Sequence, residues 1–385
     1  MTTLYFNARL IDKNADICGA LATEGGVITY VGDAAGAPCC DAHIDVGGNI
    51  LMPALIDMHC HLRDPGQTQK ETLETGMCAA LSGGYSTLVA MANTVPVCET
   101  AQEARDIEAR ARALAMCNVI QAAAAGVGLG DTVATDYASF AGKIKVVSND
   151  GKTIFNDDFM RELLRASSQY GFIISTHCQP ERDTVNRDIR LLREVGGNLH
   201  VGHISRCETL AAIKEARNSG LHLTCEVTPH HIFGYDCDYK VNPPLRRKCD
   251  VQALIEGIRD GSIDCFATDH APHTPEDKQK GAAGISGIEF AASILNTVCA
   301  ENDIPLTTFS RIASYNPSVI LGFPPAVLAV GAPANIVIFD PSAEWSINPD
   351  NMISKSHNTP FGGRRIKGRI VKTIIGGITK YEYNG

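Results

Sequence analysis

No segment of this 385-residue chain strings together the roughly 18 apolar residues that a membrane span needs, so no membrane role is expected. No run of lysines and arginines is long enough to track a phosphate backbone, and the formal net charge is −9. Nucleic acid is therefore not an expected partner. Cys-x-x-Cys is absent. The 14 cysteines are scattered, with Cys39-Cys40 as their one close pair. That pattern offers neither a disulfide framework nor a cysteine-built metal site, and it reads as reduced, mostly buried thiols of a cytoplasmic protein. The first residues, Met1-Thr2-Thr3-Leu4-Tyr5-Phe6-Asn7, lack a basic stretch followed by an apolar one, so no secretory signal is expected. Internal repeats, low-complexity tracts and long linkers are missing as well.

What is present is a change of texture near residue 50. Before it, Leu4 to Ile11 and Val27 to Val31 read as short strands, with Gly25-Gly26 as a turn. After it, apolar strand-like runs alternate with helical patterns, such as Thr100 to Ala115 and Cys207 to Ser219. Eight such runs are expected as strands: Ile50–Ile56, Ser86–Met91, Asn118–Ala122, Lys143–Val147, Phe172–Thr176, Asn198–Gly202, His222–Val227 and Ile263–Ala267. Alternation of this kind implies βα units around a parallel sheet, and eight units suggest a (β/α)₈ barrel of the α/β class. From about Ala334 the chain turns β-rich again, at Ala334–Phe339 and Arg369–Ile375. The expected division is 1–50 and 334–385 as the two parts of one small β domain, with the barrel over 51–333.

Polar residues cluster just past the strand ends, where barrel enzymes build their sites. Asp57-Met58-His59-Cys60-His61 follows the first run. Side chains at i and i+2 of a strand share a face, so His59 and His61 project together and form half of a metal site. Alone, His-x-His is equally compatible with two solvated loop histidines. Further along, His177 ends the fifth run, His203 the sixth, and Asp269, His270 and His273 follow the eighth. Four histidines and an aspartate at the ends of strands one, five, six and eight point to a metal centre.

The motifs His59-Cys60-His61-Leu62-Arg63-Asp64-Pro65-Gly66, Met91-Ala92-Asn93-Thr94, Cys225-Glu226-Val227-Thr228-Pro229-His230-His231 and Thr268-Asp269-His270-Ala271-Pro272-His273 occur in this order. Together they resemble the dihydroorotases of the metal-dependent amidohydrolase superfamily, over residues from about 50 to Pro360-Phe361. The resemblance implies an amidohydrolase barrel, a small β-sandwich built by both termini, and a two-zinc centre. By position, His59, His61 and Asp269 would bind the more buried ion, and His177 and His203 the other. Lys145 resembles the lysine that reacts with CO₂ to bridge the metals in the branch containing the animal multifunctional pyrimidine enzyme. Ser148-Asn149-Asp150-Gly151 resembles the Asp-Asp-Gly motif of bacterial enzymes, in which an aspartate bridges. Carboxylated Lys145 is the favoured bridge, because a desolvated lysine beside cations loses its proton readily; Asp150 is the alternative.

The activity so implied is reversible closure of N-carbamoyl-L-aspartate to (S)-dihydroorotate with loss of water, a step of pyrimidine biosynthesis. A hydroxide between the metals would be the nucleophile and Asp269 the proton shuttle. Arg63, Asn93, His273 and Asn242 would hold the anionic substrate, the guanidinium reading a carboxylate. Glu226 would be an accessory ligand or a support of the ligands; His230 and His231 are expected to be structural or supporting. Gly151-Lys152-Thr153-Ile154 could form a lid. The competing readings are a hydantoinase or allantoinase with the same metals, and a non-catalytic relative, which would have lost ligands. The resemblance also implies a homodimer and an association with aspartate transcarbamoylase, a habit of some dihydroorotases that no residue here decides.

Overall fold

The computed structural model describes residues 1–384. At its centre are eight short parallel strands: β1 (Leu55–Cys60), β2 (Tyr85–Ala90), β3 (Asn118–Gln121), β4 (Val146–Val147), β5 (Ile173–Thr176), β6 (Leu199–Val201), β7 (Leu223–Val227) and β8 (Cys265–Phe266). β1 to β3 form one parallel ladder and β4 to β8 a second. A parallel bridge from Ala123 to Val147 joins β3 to β4, and one from Cys60 to His270 joins β1 to the end of β8, so the ring closes. Inside it, Ile56, Met58, Val89, Met91, Ile120, Ala122, Val146, Cys265 and Ala267 pack as one cluster with Leu321 and Phe323. The i, i+2 pairs among them are the inward face of each strand.

Helices cover the outside. Ala101–Ala113 shows why they form where they do: Thr100 and Glu103 make a reciprocal capping box, and Arg110 and Arg112 stand in the last turn, where a cation suits the helix dipole. The helix Asp157–Tyr170 buries Phe159, Met160, Leu163 and Leu164 and ends at Gly171, whose φ of 77° is the left-handed cap that glycine favours.

The apolar run from Ile50 to Ile56 is two strands, where the sequence suggested one. Ile50–Pro53 pairs antiparallel with Ile336–Phe339 and parallel with Arg9–Leu10. Ala54 then donates to Asn335 O (2.9 Å), and β1 starts at Leu55. Every residue of both strands is buried, so the run carried no period that could mark the break. Ile50–Pro53 belongs to an eight-stranded sheet drawn from both ends of the chain. Its order is Ile378–Glu382, Arg365–Ile375, Ile336–Ser346, Ile50–Pro53, Thr2–Ile11, Asp16–Glu24, Val27–Gly32, with Ala42–Asp45 also pairing with Thr2–Ile11. Tyr5, Leu10, Leu21, Ile28, Leu51, Ile336, Ile338 and Ile374 form its own core. The turn Gly25-Gly26 has positive φ at both residues, as a two-residue hairpin turn requires.

Candidate active site

The strand ends bring His59, His61, Asp150, His177, His203 and Asp269 together, all buried. His59 Nδ1 donates to Glu226 Oε1 (2.8 Å), which turns its bare Nε2 toward Asp150 Oδ1, 3.3 Å away. His61 Nδ1 donates to Asn93 Oδ1 (2.9 Å), which leaves its Nε2 lone pair facing Asp150 Oδ2 at 3.3 Å and Asp269 Oδ1 at 3.2 Å. On the other side, His177 Nδ1 and His203 Nε2 lie 3.1 Å apart, each 3.4 Å from Asp150 Oδ1. Two three-residue groups result, His59–His61–Asp150 and Asp150–His177–His203, with Asp150 shared.

These residues could hold metal cations. At His61 an imidazole nitrogen faces an oxygen of each of two carboxylates at 3.2–3.3 Å. His59 Nε2 is buried without a hydrogen-bond partner. Atoms bound to one tetrahedral zinc at its usual bond length lie about 3.3 Å apart, the spacing seen here. The charge balance agrees. Burial pushes the pKa of Asp150 up, but His59, His177 and His203 pull it well below the ordinary range. Burial likewise opposes ionisation of Asp269 and Glu226, and the surrounding histidines prevail in each. Three buried anions need compensating positive charge.

Lys145 is not among these groups. Its Nζ donates to Leu321 O (2.9 Å) and lies 4.6 Å from the centre of the Phe323 ring, with the floor cluster at the opposite end of the barrel. The residue common to both groups is Asp150, the alternative bridge, and carboxylated Lys145, the bridge that the sequence favoured, does not reach them. The physical reason is direction: Lys145 precedes β4, whereas Asp150 follows it, and only the trailing ends of the strands converge on the histidines.

Around the cluster, Arg63 Nε donates to Pro272 O (3.2 Å), and the residue is 8% exposed. No acidic side chain makes an ion pair with it among the described residues. Burial lowers its pKa to about 10, leaving it a cation at neutral pH. His273 Nε2 donates to Ala283 O (2.9 Å), and burial together with Arg63 lowers its pKa to about 3, so it is neutral. Asn93 Nδ2 sits 3.4 Å from Asp150 Oδ2, so this side chain holds two of the clustered residues. Asn242 lies half-buried on the loop after β7, two residues beyond Lys240, whose carbonyl accepts from Gly284 N. His231 bonds Thr228 Oγ1 and Pro243 O, a structural role. His230 Nε2 is buried without a partner, 3.9 Å from Asp269 Oδ2. Lys152 Nζ bonds Gly128 O and Thr153 Oγ1 bonds Gln179 O, so the segment considered as a lid is anchored at both residues.

Other members, His200 among them, escaped the sequence reading. Glu226 uses its second oxygen to accept from His200 Nε2 (3.0 Å), and accepts from His203 N (3.2 Å). A histidine inside the buried strand Leu199–Val201 was the available signal for His200. Gly202 lets β6 end close against β5, since a Cβ there would sit 2.8 Å from Thr176 O. Three residues of the site have left-handed backbone: Arg63 (φ 59°), His203 (φ 32°) and Asp269 (φ 44°). Such conformations cost a side-chain-bearing residue roughly 1–2 kcal/mol and persist where neighbours enforce them. Both neighbours of Asp269 are held by buried carboxylates. Thr268 donates its N–H and Oγ1 to Asp57, and His270 Nε2 donates to Glu71 Oε2 (3.3 Å). His270 Nδ1 accepts from Gly287 N, which fixes the tautomer.

Residues 50–379 match the amidohydrolase family. A Clostridium botulinum protein named dihydroorotase is 33% identical over 398 residues, covering 99% of this chain and 100% of the relative. A Geobacillus dihydroorotase is 37% identical, covering 93% of each chain. Among solved structures, the L-hydantoinase of Arthrobacter aurescens superposes with a TM-score of 0.90 at 20% identity, over 99% of this chain and 96% of the other. The dihydropyrimidinase of Brevibacillus agri gives 0.89 at 20% identity, over the same shares. At that identity the likeness extends to the fold alone.

Proposed function

This chain belongs to the amidohydrolase family and is a hydrolase of cyclic amides, and we propose that it interconverts (S)-dihydroorotate and N-carbamoyl-L-aspartate. The observation that carries this reading is Arg63, a buried guanidinium with no acidic partner among the described residues. Burying an unpaired cation is costly, so the site is prepared for an anion. Dihydroorotate brings a carboxylate to it; hydantoin, allantoin and dihydrouracil do not. The dihydroorotase names of the full-length relatives support the same substrate.

His59, His61 and Asp269 would hold one zinc ion and His177 and His203 the other, with Asp150 shared. When bound, such a pair supplies Lewis acidity toward a carbonyl oxygen and makes water available as hydroxide near neutral pH. The remaining steps belong to the protein. Arg63 takes the substrate carboxylate, with His273 beside it, and Asn242 would contribute from the loop after β7. Asn93 keeps His61 in the tautomer that presents Nε2. In ring opening, water gives one proton to Asp269 and adds as hydroxide to the amide carbonyl carbon, the carbon–nitrogen bond breaks, and the leaving nitrogen takes that proton from Asp269. In ring closure, the ureido nitrogen bonds to the carbon of the protonated side-chain carboxyl and gives a proton to Asp269, which passes it to the carboxyl hydroxyl as that group leaves as water. On this reading the sheet built by both termini is a separate small domain and the barrel carries the chemistry.

The test is a comparison of kcat/KM for dihydroorotate, dihydrouracil, hydantoin and allantoin on the zinc-loaded protein. Dihydroorotate is expected to lead. A higher value for any carboxylate-free substrate overturns the assignment in favour of a hydantoinase-type activity.

A further inference from the structure

Between the strands Ile336–Ser346 and Arg365–Ile375 of the terminal sheet, the chain leaves that sheet and reaches the mouth of the barrel. Asn358 lies on this excursion. Its side-chain amide is fully engaged, and four of its bonds go to one loop, with Tyr239 beside it as a further partner. Asn358 Oδ1 accepts from His273 N (2.9 Å) and Ser286 Oγ (2.7 Å). Its Nδ2 donates to Ala271 O (3.1 Å) and Gly284 O (3.0 Å). Two donors on one side and two carbonyls on the other fix which atom is oxygen. The backbone carbonyl of Asn358 also accepts from Ser286 N (2.8 Å).

The residues so gripped are the two stems of the loop 271–286. Ala271 and His273 lie on the outgoing stem, Gly284 and Ser286 on the returning one. The outgoing stem carries both supports of Arg63, since Pro272 O accepts from Arg63 Nε and the His273 ring packs against its guanidinium, with Nη2 3.3 Å from His273 Nε2. The stems also approach closely without a side chain between them: a Cβ at Gly284 would meet Ala271 O at 2.8 Å and His273 Cδ2 at 3.0 Å.

We propose that Asn358 is a positioning residue for substrate binding, clasping the loop 271–286 so that Arg63 and His273 face the substrate carboxylate. This rests on the carboxylate-binding reading above. Asn358 touches none of the clustered histidines or aspartates, so its effect should fall on binding and leave the chemical step alone.

The test uses the full-length, zinc-loaded protein and Asn358→Asp. The substitution keeps the shape and both accepted bonds but sets a carboxylate oxygen against the carbonyls of Ala271 and Gly284. Amide hydrogen exchange within 271–286 is expected to quicken. KM for dihydroorotate is expected to rise by about tenfold or more, the worth of one charge-assisted hydrogen bond, with kcat within about threefold and zinc content unchanged. Unchanged exchange and KM would overturn the clasp, as would a fall in kcat at constant KM. Should Asn358→Asp not fold, Ser286→Ala, which removes one of the four bonds, is expected to shift exchange and KM in the same direction by a smaller factor; no shift in either overturns the proposal. Failure of the functional reading is separable. A wild-type protein that ignores dihydroorotate sinks that reading, whereas the exchange measurement decides the clasp whatever the substrate.

Discussion

The barrel has two ends made from the same eight strands, and β4 sets one charged residue at each. Where the strands begin, Lys145 closes over a floor of Leu321 and Phe323 beneath Ile56, Val89, Ile120 and Val146. Where they finish, Asp150 is ringed by four histidines. The floor follows from alternation: apolar side chains at i and i+2 point inward, and nothing there requires unusual backbone. The mouth follows from contacts far apart in the chain, and three of its residues adopt left-handed backbone that a side chain resists. Burial alone builds the first; the second needs each polar atom placed by another.

The largest separation between the two ends should come from Asp150→Ala. Losing the shared carboxylate leaves four imidazoles without their common anion, and both metals should be lost with it. Activity is expected to fall by at least about 10³-fold, and metal analysis should report less than one ion per chain. Two retained ions with near-normal turnover would remove Asp150 from the centre. Asp269→Asn should be comparably inactive while keeping more metal, because the amide still ligates through oxygen but holds no transferable proton.

Next in size is Arg63→Lys. A lysine cannot reproduce a planar fork anchored on Pro272 O, so kcat/KM for dihydroorotate should fall by about 10²-fold while that for dihydrouracil, where measurable, hardly changes. An equal loss on both substrates would mean that Arg63 supports the fold and does not read a carboxylate.

The contrast between the ends also explains what could be read from the sequence. The floor and the alternation of strands and helices were legible because periodicity is local. His59-x-His61, His177, His203 and Asp269 were legible because residue type and strand-end position coincide. The split at Ala54 was hidden, since an all-buried run looks alike whichever sheet it joins. Lys145 misled because it sits beside an apolar run; only Val146–Val147 enter the ladder, and a two-residue strand gives period counting no purchase. Glu71, His200 and Asn358 left little or no local trace. Their partners stand 199, 26 and 85 residues away, in His270, Glu226 and His273.

Glu71→Gln probes that hidden layer with a smaller effect. The Glu71 carboxylate accepts from His270 Nε2, Ser354 Oγ, Lys355 N and Thr75 Oγ1. An amide must point hydrogens at one pair of these donors, a mismatch worth about 1–3 kcal/mol. kcat should fall by about tenfold with zinc content and KM held, because the strained Asp269 loses the anchor beside it. A variant that melts lower but turns over normally would confine Glu71 to stability.

The smallest effect is expected at the floor. Lys145→Met removes the bond to Leu321 O and the cation over Phe323, and keeps an unbranched apolar stem. Stability should drop by about 1–2 kcal/mol, visible as a lower urea midpoint. Zinc content, kcat and KM should match the wild type, and bicarbonate should not affect reconstitution of either protein. Lys145 Nζ lies 2.9 Å from a carbonyl oxygen, a contact that an ammonium makes with a hydrogen to spare. A carbamate at the same place would be anionic beside that carbonyl, and at the wrong end of the strand to meet His59 or His177. A metal-poor Lys145→Met protein whose wild-type parent needs bicarbonate to regain activity would return the bridge to the lysine and erase the difference between the two ends of β4.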